Sequence, residues 1–108
     1  MVDHTRYAYR VLWSDEDAEY VALCAEFPSL SYLAPTQTDA LTGLVNLVGD
    51  VVSDMAANDE AIPDPIGSKR FSGKFQIRIP PEDHRRLAIE AAENGVSLNR
   101  LAASKLAS

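Results

Sequence analysis

Cysteine is almost missing from this chain. Cys24 is the sole one, so no disulfide can form within it. Histidine is scarce as well: His4 and His84 lie far apart, and no Cys/His cluster has metal-ligand spacing. Neither a metal nor another cofactor is expected. No apolar run is expected to reach the roughly 18 residues of a membrane span. The opening MVDHTRY lacks a signal peptide's apolar stretch. The expectation is a cytoplasmic protein with no membrane partner. Positive charge is nearly absent from one region. Residues 1–66 hold only Arg6 and Arg10 against twelve acidic residues, a balance of −10. Residues 67–108 hold eight basic residues against four acidic ones, a balance of +4, and the whole chain is at −6. The split points to an acidic module joined to a nucleic-acid-facing one, with chance clustering on solvated faces as the plain alternative.

At 108 residues the chain has the size of one ordinary domain or two very small ones. The expected fold class is α+β. Tyr7, Tyr9, Val11 and Trp13 alternate within 6–13 and favour a strand. Ser14-Asp15-Glu16-Asp17 is turn-like. Residues 19–27 form a second strand candidate, with Val21, Leu23, Ala25 and Phe27 on one face and Pro28 as its end. Residues 29–33 suit a short third strand. An antiparallel meander with one covered face follows.

Thr36 suits a helix N-cap, with Asp39 three residues on. Leu41, Leu44, Val45, Val48, Val52 and Met55 then recur at spacings of three and four, the stripe of an amphipathic helix expected to cover the meander. Gly43 and Gly49 suggest close packing on the sheet, and Asn58-Asp59-Glu60 a polar exit. Two prolines, a glycine and a serine within Ile62–Ser68 exclude helix and mark a linker. The expected division is an acidic first domain at 1–61, a linker at 62–69 and a nucleic-acid-facing domain at 70–108.

In Lys74–Ile79 the apolar Phe75, Ile77 and Ile79 alternate with Lys74, Gln76 and Arg78. Pro81 suits the first position of a following helix, and Glu82 and Asp83 suit its dipole. Leu87, Ala88, Ala91 and Ala92 give its buried stripe, and Asn94-Gly95 stops it. Ser97 caps a last helix carrying Leu98, Leu101, Ala102 and Leu106. One strand and two short helices leave both strand edges unpaired and hold too few apolar side chains for a core. A dimer resolves this. Two copies of Lys74–Ile79 pair antiparallel, and Phe75, Ile77, Ile79, Leu87 and Leu101 form a shared core. Lys74, Gln76 and Arg78 then project from a two-stranded ribbon that fits the major groove of operator DNA. Arg and Lys can donate there to guanine, and Gln can bond adenine. Ser97, Leu98 and Asn99 at a helix start, with Arg100 nearby, suit phosphate. Lys69 and Arg70 suit a flexible basic arm.

Residues 72–107, from Ser-Gly-Lys-Phe-Gln-Ile-Arg-Ile-Pro-Pro to Gly-Val-Ser-Leu-Asn-Arg-Leu-Ala, resemble the ribbon-helix-helix domain of Arc and MetJ type. The resemblance implies base reading by Lys74, Gln76 and Arg78, and phosphate contact by Gly95–Asn99. Over nearly its full length the chain resembles HicB-family antitoxins. The residues concerned are Ser72–Phe75, Arg78–Pro81 with His84-Arg85, Tyr9–Trp13, Tyr20–Ala22, Glu26–Pro28, Thr38–Leu41 and Ile62–Pro65. That resemblance implies a front domain of reduced RNase H type that binds and blocks a small basic mRNA-cleaving toxin of HicA type. It further implies a second domain that represses the shared operon as a homodimer or higher oligomer. Ala34–Thr38 stands where that family has a Gly-Asp-Thr-like turn, so the turn is built differently.

Two other functions stay open at this level. One is a stand-alone regulator whose front domain senses a ligand or only oligomerises. The other is an RNase H-like enzyme, which needs convergent metal-binding carboxylates, whereas the strand candidates supply only Glu19 and Glu26. No enzyme activity is expected. Arg78 as a solvated strand arginine, His84 as a surface histidine and Cys24 as a small buried hydrophobe are the plain readings of those residues. Asp15–Glu19 reads best as a solvated hairpin tip.

Overall fold

A computed structural model describes residues 2–108, and the fold is α+β, with one three-stranded antiparallel sheet and three helices. The chain divides into two compact units, the first ending at Phe71 and the second running Ser72–Ser108.

In the first unit a 3-10 turn at His4–Arg6 precedes β1 (Tyr9–Ser14), β2 (Glu19–Cys24) and β3 (Ser31–Ala34), which pair in sequence order. Polar Asp15–Ala18 makes the β1–β2 hairpin tip, as the sequence implies, with Ala18 at φ +52. The register sets Leu12 against Val21 and Val21 against Leu33 in one row. On the opposite face Val11, Ala22 and Tyr32 form a row, as do Trp13, Tyr20 and Ala34.

The covered face is not the one carrying Val21 and Leu23. Ala22, Cys24 and Ala34 are buried, whereas Val21 and Leu23 are only half-buried and Ala25 is exposed. The expected set of Val21, Leu23, Ala25 and Phe27 is thus the wrong one: beyond Glu19 β2 is apolar on both faces, and alternation alone cannot rank them. Small side chains decided the choice, because a helix packs closest over Ala, Cys and Ala. Phe27 lies beyond the strand in a turn closed by Phe27 N–H donating to Cys24 O at 3.2 Å. There it meets the buried Tyr7 edge-to-face, with ring centroids 5.4 Å apart.

The helix that covers this face is α1 (Gln37–Ala57). Thr36 Oγ1 accepts from Asp39 N–H at 3.1 Å, the expected cap. Its buried residues are Ala40, Leu44, Val48 and Val52, four apart along one side. Leu41, expected in that stripe, is 39 % exposed, and Ala40 takes its place for the same reason of close approach. Gly43 lies under the Tyr32 ring, which occupies the space a Cβ would need. Against the expectation from the sequence, α1 is by length and composition apolar enough to cross a membrane. Asp39, Asn46, Asp50 and Asp54 interrupt its run, and its apolar side lies on the sheet.

Ile62–Ser68, expected as a linker, is tied to this unit. Tyr7 Oη donates to Pro63 O at 2.7 Å, Ile66 N–H donates to Glu26 at 2.8 Å, and Pro65 is buried. Proline and glycine exclude helix here, but they do not prevent docking.

The second unit contains α2 (Pro81–Glu93) and α3 (Leu98–Ala107). Pro81 opens α2, whose end is a Schellman motif. Val96 N–H donates to Ala91 O at 3.0 Å and Gly95 N–H to Ala92 O at 3.2 Å, with Gly95 at φ +67. That left-handed residue turns the chain into Ser97, whose Oγ accepts from Arg100 N–H at 3.1 Å. Lys105 and Glu90 join the two helices at 3.3 Å. Only Ala91 is buried in this unit. Of the expected stripe Leu87 is half-buried, while Ala88 and Ala92 are exposed.

Candidate nucleic-acid interface

Residues 71–80 are all exposed, and none belongs to a hydrogen-bonded strand. The strand expected at Lys74–Ile79 is therefore not formed within a single chain. A strand exists through its ladder, and nothing in this unit offers an edge to pair with. The segment begins at a small turn in which Lys74 N–H donates to Ser72 Oγ at 3.0 Å, with Gly73 at φ +82. Phe75 is 75 % exposed, Ile77 58 % and Ile79 40 %. These three side chains border a groove of about 280 Å³ against Leu87, Leu98 and Ala102. Gln76, His84 and Asn99 line the same groove, so the single chain does not separate Gln76 cleanly from the apolar set. Period-two segregation needs regular strand geometry, which an unpaired segment lacks.

The cations divide by their partners. Arg86 is held by Asp83 at 3.0 Å, and Lys105 by Glu90. Among the described residues Lys74, Arg78, Arg85 and Arg100 take part in no ion pair. At the start of α3 the Ser97 hydroxyl and carbonyl take the N–H groups of Arg100 and Leu101. The Leu98 and Asn99 N–H groups are thereby left for an acceptor outside the helix. Leu101 is half-buried.

Residues 57–106 match the model of the HicB family. Over that stretch the chain is similar to the HicB family. The match takes in all of α2 and nearly all of α3, whereas the resemblance read from the sequence extends over the front half too. Comparisons with curated proteins and with solved structures give no match.

Lys69 and Arg70, expected as a free basic arm, belong to the first unit. Lys69 N–H donates to Ile66 O at 3.1 Å and closes a 3-10 turn at Ile66–Ser68. The turn fixes the backbone at Lys69, and its exposed side chain projects from it.

Two polar groups singled out in the front half have structural partners. Glu26 accepts from Ala8 N–H at 3.0 Å as well as from Ile66 N–H. Burial pushes its pKa up, but those backbone donors outweigh burial and hold the carboxyl below its ordinary range. Burial pushes the Cys24 thiol up, and its side chain is 2 % exposed, the opposite of an activated nucleophile. Tyr9, desolvated beside them, is raised to about 12 and donates to His4 O at 2.7 Å. No signal in the sequence marked Glu26 as a clamp, because the donors it ties together from afar, at Ala8 and Ile66, are backbone groups.

Proposed function

We propose that this protein is a non-catalytic cytoplasmic antitoxin: it neutralises a small basic mRNA-cleaving toxin and represses its own operon as a ribbon-helix-helix dimer. One observation carries the DNA-binding half. Phe75, Ile77 and Ile79 stand 40–75 % exposed on a segment with no strand partner, next to the incomplete core of α2 and α3. Water contact with three large apolar side chains is costly, at roughly 25 cal/mol per Å² of apolar surface. A second copy of the same segment removes it from water and supplies the missing ladder. Pairing regularises both strands and turns Lys74, Gln76 and Arg78 toward the major groove. Ser97–Arg100 and Lys69-Arg70 serve the phosphates. The HicB-family match over 57–106 supports the same reading and brings in the toxin partner.

A mobility shift of the gene's own upstream DNA, with and without the product of the adjacent small open reading frame, tests both halves. The chain is expected to shift that DNA, and the product to copurify with it. Within the site, Arg78→Ala costs about 1–3 kcal/mol and relaxes specificity at one base position per half-site. Lys69→Ala weakens binding evenly across sequences and reduces the salt slope by about 1. Equal losses on operator and random DNA for Arg78→Ala contradict its role as a base reader.

A further inference from the structure

We infer that the helix-free face of the three-stranded sheet is a docking surface for a basic protein, with Leu12, Val21 and Leu33 as its apolar centre. The inference deepens the antitoxin reading, whose toxin is the occupant it requires. Antiparallel sheets with one helix layer ordinarily keep the other face polar. This sheet does not. Its open face carries the row Leu12–Val21–Leu33 and beside it Leu23, between Arg10 and Ser31. Leu12 and Leu33 are each 42 % exposed. After Glu19, β2 reads Tyr-Val-Ala-Leu-Cys without a charged residue, the composition of a strand covered on both sides.

Charge selects the occupant. The row next to Leu12 pairs Ser14 with Glu19, so a carboxylate borders the apolar centre. The adjoining hairpin tip adds Asp15, Glu16 and Asp17. Arg10, at the other end of β1, is the single cation on the three strands. A second copy of this face sets the −10 of residues 1–66 against itself. A basic surface is drawn to the hairpin end, where its cations meet these acids while an apolar patch covers the leucines.

The test titrates the full chain with the protein encoded by the adjacent small open reading frame, alongside two variants and a control. The double variant Leu12→Glu with Leu33→Glu is expected to lose about 100-fold in affinity, because charge is driven into an interface centre. Its thermal midpoint should stay near that of the unaltered chain, since both side chains already face water. Glu16→Lys with Glu19→Lys, which touches no leucine, should slow association on the order of tenfold and flatten its salt dependence. Ser53→Glu, on the exposed side of α1, should change neither. Undiminished binding by both double variants overturns this face while leaving the antitoxin reading intact. No binding by the unaltered chain overturns the antitoxin reading and this inference with it. A self-association of the free chain that Leu12→Glu with Leu33→Glu abolishes shows that the face meets its own copy, and overturns the basic partner.

Discussion

In the first unit Leu44, Val48, Val52 and Cys24 are almost wholly removed from water, while in the second only Ala91 is buried. Both stretches carry amphipathic patterns of similar strength, so the contrast does not come from composition alone. The first unit owns both halves of its interface, a sheet face of small residues and a long helix to lay on it. The second owns two helices and an apolar segment with nothing opposite. An amphipathic pattern promises burial, and only a complementary surface in the same chain delivers it without a partner.

Phe75→Ala is the sharpest way to break this contrast. It should cost about 3–5 kcal/mol if Phe75 is fully buried in the proposed dimer, measured as dissociation in sedimentation equilibrium. The first unit's own unfolding should be untouched. Leu44→Ala is the mirror experiment, costing about 2–5 kcal/mol. It should lower the first unit's transition without altering the dimerisation constant. Dilution sharpens the comparison next. A melting transition assigned to the second unit should fall as the protein is diluted, and one assigned to the first should not.

The smallest expected effect is the pH response of the clamp at Glu26. Its folded pKa is depressed, by backbone donors that outweigh burial. Its contribution is therefore present above the unfolded carboxylate's pKa, near 4.3. It is lost as pH falls through the still lower folded value. Glu26→Gln should flatten that acid-side loss of thermal stability in the first unit only. An unchanged acid limb removes the clamp from the account.

Much of the fold was legible because local rules governed it. Thr36 and Ser97 marked helix starts through side-chain caps, Pro81 through its fixed φ at the first helical position, and Asn94-Gly95 a helix end through its left-handed turn, and those ends are where the sequence put them. The polar run after Ser14 gave the hairpin. Where distant surfaces compete, the pattern was silent. β2 offered two apolar faces, and the approach of α1 to Ala22 and Ala34 favoured the one opposite to Val21. Ile62–Pro65 read as a linker because its chemistry excludes helix, yet Tyr7 and Glu26 bind it from more than thirty-five residues away. At the candidate site the alternation of Phe75, Ile77 and Ile79 with Lys74, Gln76 and Arg78 is written in the chain. The ladder that would give it strand geometry is not.

The sequence by itself determined where helices start and stop, where charge accumulates, and which segments carry apolar side chains at regular spacing, because each depends on neighbours a few residues apart. Only the tertiary structure decided which sheet face the helix covers, what holds the segment after α1, and which apolar side chains stay in water. Those outcomes depend on how closely two surfaces can approach, and that distance is set by side chains remote from one another in the chain.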